Sequence, residues 1–203
     1  MIVSAGGEVS NIRKVVSPVM KNEAKSTFYH IDFSFDQLRL GGAAFAQTRG
    51  CVGSDVPTVK NPEYFRDAYN AVQELVKKGY LLAGHDISAG GLITTLLEMT
   101  FANTEGGMDI CLDKFNSDDL IKVLFAENPG NVVQVANDHK KEFKALLDDA
   151  GIGYINLGKP AEERQIMVTL HDATYQFGID YLRDIWYETS YLLDTKQSFH
   201  GCA

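Results

Sequence analysis

Cysteine and positive charge are both in short supply in this 203-residue chain. Its three cysteines form no CxxC pair, and their odd number argues against the disulfide framework of a secreted module, so we expect a cytoplasmic protein. Lys and Arg together number 19 against 27 for Asp and Glu, which gives a net charge of -8. With no basic stripe to follow a phosphate backbone, a nucleic-acid partner is not expected.

Long apolar runs and several signatures of catalysis are also missing. No segment approaches the roughly 18 apolar residues of a membrane span, and the opening MIVSAGGEVS lacks the basic and apolar regions of a signal peptide. We therefore expect no membrane association. The chain has no GxSxG, no GxxxxGK[ST] and no Cys/His spacing typical of zinc, so the residues alone assign no catalytic group.

The order of predicted elements indicates an α+β fold, with helices packed on a mixed β-sheet. From Asn61 onward strands and helices alternate, whereas the opening and closing parts of the chain place strand beside strand. Asn61 and Pro62 start a helix that ends at Gly79, and Phe65 and Tyr69 are predicted to lie on its buried face.

The remaining predictions concern the two ends of the chain and one strand. Residues 2–4 read as a short strand, and residues 27–33 alternate as a half-buried strand in which His30 is a solvated or satisfied residue. The last helix runs from Ile179 to about Leu193, with Trp186 as a packing anchor. We expect residues 1–193 to form one domain and residues 194–203 a frayed tail or linker.

One stretch, GHDISAGG at residues 84–91, combines polar side chains with a glycine turn. Asp86 and Ser88 are two apart, so in extended backbone both project to the same face. A carboxylate and a hydroxyl beside free amides at a helix start can hold a divalent cation and phosphate oxygens. The alternative is a simple turn in which Ser88 or Asp86 only caps the helix.

A second glycine pair lies in LGGAAFAQ, at residues 40–47. Gly41 and Gly42 either expose amides to an anion or permit tight packing, and tight packing is the favoured interpretation. Since Asp86 supplies only one carboxylate, a metal held at the first stretch needs ligands from another domain or chain.

Several motifs of this chain resemble motifs of the phosphoribosylformylglycinamidine synthase family. They are GHDISAGGL, its continuation LLEMTFAN, the earlier LGGAAFAQ, the terminal WYETSY followed by DTKQS, and the opening IVSAGGEVSNIRKVVSP. Within that family they resemble the C-terminal part of the second synthetase half, the domain shared with aminoimidazole ribonucleotide (AIR) synthetase. One departure is Ala89, which stands where many members carry Asp.

The resemblance implies an ATP-dependent, glutamine-hydrolysing ligase of purine biosynthesis that converts formylglycinamide ribonucleotide to its amidine. It implies that Asp86 is a Mg²⁺ ligand and that Ser88 contacts ATP or ADP, both as binding residues rather than catalysts. It also implies partners, namely the remaining synthetase domains and a glutaminase domain, together with small-molecule substrates, and a fragment inactive alone. Two alternatives stay open: another ATP-using synthetase of the AIR synthetase superfamily, and a non-catalytic packing domain.

Overall fold

A seven-stranded mixed sheet forms the centre of the computed structural model, which describes residues 6–9 and 11–197. Its strands, in the order β2-β4-β1-β5-β3-β6-β7 across the sheet, are β1 (Ser26–Asp32), β2 (Leu81–Asp86), β3 (Gly107–Cys111), β4 (Gly130–Ala136), β5 (Tyr154–Ala161), β6 (Gln165–Leu170) and β7 (Ala173–Gly178). Strands β3 and β6 pair in parallel and the other neighbours are antiparallel, which confirms the α+β prediction. The strand predicted at residues 2–4 lies outside the described residues.

Helices cover both faces of this sheet. They are α1 (Ala44–Thr48), α2 (Pro62–Lys78), α3 (Gly91–Phe101), α4 (Leu120–Phe125), α5 (Lys140–Asp149) and α6 (Ile179–Gln197). One core cluster joins the sheet to α3 and α4, and a second joins it to α2 and α5. Within the described ranges, no helix is long and apolar enough to cross a membrane.

Helix α2 has the predicted ends, and Phe65 packs against a core cluster as predicted, but Tyr69 does not. The Asn61 side chain accepts hydrogen bonds from the amides of residues 63 and 64, and Gly79 closes the helix at a φ of 73°. The buried residues are Ala68, Ala71 and Leu75, whereas Tyr69 is 53% exposed. The core prediction for Tyr69 was therefore wrong, because small side chains on the adjacent stripe bring the helix close to the sheet.

Strand β1 is buried on both faces, so the half-buried prediction was also wrong. It lies between β4 and β5, with Phe28 in one core cluster and Tyr29 in the other. His30 is only 9% exposed, and its Nδ1 has no hydrogen-bond partner among the described residues. His30 is therefore neither exposed to solvent nor fully hydrogen-bonded. It is buried because helices cover both faces of this central strand.

The C-terminal helix α6 extends to Gln197, beyond the predicted end near Leu193. Trp186 is 55% exposed, and its ring centroid lies 5.4 Å from that of Phe101 on α3. Residues 194–197 are thus helical, and residues 198–203 of the predicted tail lie outside the described part. The domain boundary at residue 193 stays a prediction.

Candidate functional site

The GHDISAGG stretch joins the end of β2 to the start of α3. The amide of Ile87 donates to the carbonyl of Gly130 at 2.8 Å, which fixes the chain just after the strand. Gly90 and Gly91 then turn it, with φ values of 89° and 72°. A Cβ on Gly91 would lie 2.7 Å from the carbonyl oxygen of Leu124, so the turn packs too closely on α4 for any larger residue.

Asp86 and Ser88 are both exposed and flank Ile87, which is 9% exposed. This alternation is what extended backbone gives, and it places the carboxylate and the hydroxyl outside the core. No side chain caps α3, so the interpretation in which Ser88 or Asp86 only caps this helix is wrong. Neither residue lines the principal cavity described below.

The carboxylate of Glu127, which the sequence did not single out, connects the two glycine motifs. Its Oε1 accepts hydrogen bonds from the amide of Gly90 at 2.8 Å and from the amide of Ala44, the first residue of α1, at 2.7 Å. A glutamate in LFAENPG, between a helix and a strand, is the only sequence signal for this contact.

Two of the amides at the start of α3 are already in use. Gly90 donates to Glu127, and the amide of Gly91 donates to the carbonyl of Ser88 at 3.0 Å. Phosphate binding by these two amides would require both bonds to break. The turn also presents the exposed side chains of Asp86 and Ser88 to a ligand.

The second glycine pair is a packing feature. The amides of Gly41 and Gly42 donate to the carbonyls of Asp55 and Val52, and a Cβ on Gly41 would lie 2.5 Å from the backbone of Asp55. The favoured interpretation of tight packing is confirmed, and the alternative of an anion site at these amides is wrong.

A chain of side-chain contacts runs beside the turn and joins three of the motifs. His85 Nε2 lies 3.0 Å from one oxygen of Glu98, and Trp186 Nε1 donates to the other oxygen at 3.1 Å. His85 Nδ1 lies 3.3 Å from Asp86 Oδ1 without the geometry of a hydrogen bond. Glu98 on α3 therefore ties the helix carrying WYETSY to the residue before Asp86.

The donor set fits a shared metal site rather than a complete one. The Asp86 side chain is 70% exposed, and within residues 6–9 and 11–197 no three His, Cys, Asp or Glu side chains are grouped to hold a metal ion. Magnesium takes about six oxygen ligands, commonly one or two carboxylates with waters and phosphate oxygens. Asp86 fits as one such ligand if further ligands come from outside the described residues.

Comparison with known proteins decides the family. The family described as "AIR synthase related protein, C-terminal domain" matches residues 33–171, more than half of the chain. The chain belongs to this family. The match begins at residue 33, just after β1, and includes the GHDISAGG turn, Glu127 and strands β2 and β4 on either side of the turn.

Relatives and solved structures agree with that assignment. The whole chain is 33% identical to human phosphoribosylformylglycinamidine synthase and 30% identical to the probable Arabidopsis thaliana enzyme of that name, of which it spans only 15% and 14%. T. maritima PurL complexed with ATP has a TM-score of 0.66 at 13% identity, over 85% of this chain and 28% of that one. T. maritima PurL complexed with FGAR also has a TM-score of 0.66, at 16% identity, with 85% and 30% covered. At these identities the structures establish the fold.

Proposed function

We propose that this chain is the C-terminal domain of the second synthetase half of a phosphoribosylformylglycinamidine synthase. The observation that carries the proposal is similarity along the entire chain, at 33% identity, to the human enzyme of that name. The whole protein would be a ligase of purine biosynthesis that uses ATP and glutamine to convert formylglycinamide ribonucleotide to formylglycinamidine ribonucleotide, in the cytoplasm.

In this proposal Asp86 and Ser88 serve a Mg²⁺-nucleotide site shared with another synthetase domain. Asp86 supplies one carboxylate ligand to Mg²⁺, and the Ser88 hydroxyl contacts ATP or ADP. Both side chains are exposed, and the described part of the chain supplies no complete set of metal ligands. The isolated chain is then inactive, with residues 194–203 leading toward a glutaminase domain.

Buried neighbours support the rigidity that such a site needs. Ile87 anchors the segment between the two exposed side chains, while Glu127 holds Gly90 and the Thr95 hydroxyl donates to the carbonyl of Asp86 at 3.1 Å. A ligand therefore meets Asp86 and Ser88 on backbone that is fixed on both sides, which lowers the entropic cost of binding.

The test is turnover by the longer protein that contains this chain, supplied with formylglycinamide ribonucleotide, glutamine, ATP and Mg²⁺. We expect the amidine product by mass spectrometry, its loss when ATP or Mg²⁺ is omitted, and no product from the 203-residue chain alone. Absence of product from the longer protein under all conditions would refute the assignment. Turnover by the isolated chain would refute its role as a fragment.

A further inference from the structure

A cavity of about 740 Å³ lies on the opposite side of Ile87 from the exposed side chains of the turn. Ile87 and Leu92 form part of its wall, so it shares the GHDISAGG backbone without including Asp86 or Ser88. Its volume falls in the range of about 300–1,000 Å³ that is usual for small-molecule sites. The residues along its wall all belong to this chain, unlike the ligands that a shared metal site would need.

His30 is the polar group in this wall whose hydrogen bonding is incomplete. The side chain is more than nine-tenths buried, and Nδ1 has no partner within the described ranges. Burial lowers the pKa of His30 to about 4, so at neutral pH the imidazole is uncharged, with one nitrogen donating and the other accepting. Nδ1 itself has almost no accessible surface, so a neutral hydrogen-bonding ligand would meet this ring at Nε2.

Aromatic side chains share the cavity wall with the imidazole. The Phe115 ring lies 5.3 Å from that of His30 between centroids, and Tyr154 and Phe35 also line the cavity. Phe35 has a φ of 51° and is 56% exposed, a strained conformation that is uncommon for a residue with a side chain. These rings offer flat faces to a planar ligand.

Three charged residues of the wall, Asp32, Asp36 and Lys60, already have partners. The Asp32 carboxylate accepts from the amides of residues 34 and 35 and from the Ser34 hydroxyl. Asp36 pairs with Arg39 at 3.0 Å and lies 3.8 Å from Lys60. Lys122 balances Asp32 in formal charge, so the lining selects for no particular sign of ligand charge.

We propose that this cavity binds a neutral heteroaromatic ring of nucleobase size, hydrogen-bonded to His30 and stacked against Phe115. The ligand is a free base or a nucleoside, recognised by its ring and not by a phosphate. This site is separate from the proposed Mg²⁺-nucleotide site and does not rest on the synthetase assignment.

The test uses adenosine as the probe and the imidazole ¹H–¹⁵N correlation spectrum of the chain as the readout. The His30 resonance is identified by its loss in His30→Gln, with His139→Gln as the control. We expect adenosine to shift that resonance in a saturable way. AMP should bind with similar affinity, and the response to adenosine should be unchanged in Asp86→Asn. Phe115→Leu should weaken adenosine binding roughly five- to tenfold, since one aromatic contact is lost.

Three results would overturn the proposal. One is an unshifted His30 resonance at millimolar adenosine; another is a shift with AMP but not with adenosine, which would indicate an anion site. The third is an adenosine response that disappears in Asp86→Asn, which would place the nucleoside at the other site. Failure of synthetase turnover would leave each of these outcomes unaffected.

Discussion

Removing the Glu127 carboxylate should destabilise the chain by loosening both glycine motifs together. The carboxylate accepts two backbone hydrogen bonds, at 2.7 and 2.8 Å, from Ala44 and Gly90. Hydrogen bonds to charged groups contribute about 1.5–3 kcal/mol each, and water partly rescues amides at a half-buried site. We therefore expect Glu127→Ala to lower the free energy of unfolding by about 2–4 kcal/mol, and Glu127→Gln, which keeps an acceptor oxygen, by about half as much.

Urea unfolding at pH 7 measures these differences, with Glu162→Ala as the control because Glu162 is exposed. That control should change stability by less than about 0.5 kcal/mol. Hydrogen exchange gives a local readout, since the Gly90 amide should exchange faster in Glu127→Ala than in the parent chain. If Glu127→Ala unfolds within about 0.5 kcal/mol of the parent chain, the carboxylate does not join the motifs and the reasoning fails.

Three further predictions concern single residues. Burial lowers the pKa of His30 to about 4, from about 6.5 in the unfolded chain, so its contribution to the free energy of unfolding is complete above pH 6.5 and is lost as pH falls toward 4. His30→Gln should remove about 3 kcal/mol of this pH dependence, as measured by unfolding at several pH values. The same pH dependence of stability in the variant and the parent chain would contradict the prediction. Gly91→Ala should lower the free energy of unfolding by about 3 kcal/mol. The control Gly151→Ala should lower it by about 1 kcal/mol, because Gly151 has a similar φ of 68° but no atom within 4 Å of the added Cβ. Equal denaturation midpoints for the two variants would show that the close approach of Gly91 to α4 does not limit the residue there. Trp186, the single tryptophan, is half-exposed beside Glu98, so acrylamide should quench its fluorescence efficiently in the chain alone; a fully protected emission would contradict the position of α6.

Local signals were enough for the elements whose ends are chemically marked. The Asn61 cap and Gly79 set the limits of α2, and the sequence predicted both because a cap and a left-handed glycine act within a few residues. Strand β7 was missed although ATYQFG alternates apolar and polar residues; it is a short edge strand whose residues are mostly exposed. The burial of His30 depends on the position of β1 within the sheet, which the spacing of apolar residues along one strand does not reveal.

In the candidate site, too, local features could be predicted from the sequence and long-range contacts could not. The exposure of Asp86 and Ser88 follows from alternation along one extended segment. The contact from Glu127 to Gly90 joins residues 37 apart in sequence, and no spacing rule predicts it. The sequence also could not show that this internal acceptor occupies the Gly90 amide, one of the amides expected to be free at the start of α3.

The most direct test of the shared site measures how much nucleotide stays bound to the longer protein through purification. Released nucleotide is measured by chromatography for the parent protein, Asp86→Asn and the control Asp138→Asn, in which an exposed aspartate outside the turn is changed. We predict one ADP or ATP per chain in the parent and control proteins, and its loss in Asp86→Asn. Equal nucleotide content in all three proteins would contradict a role for this turn in holding Mg²⁺ and nucleotide.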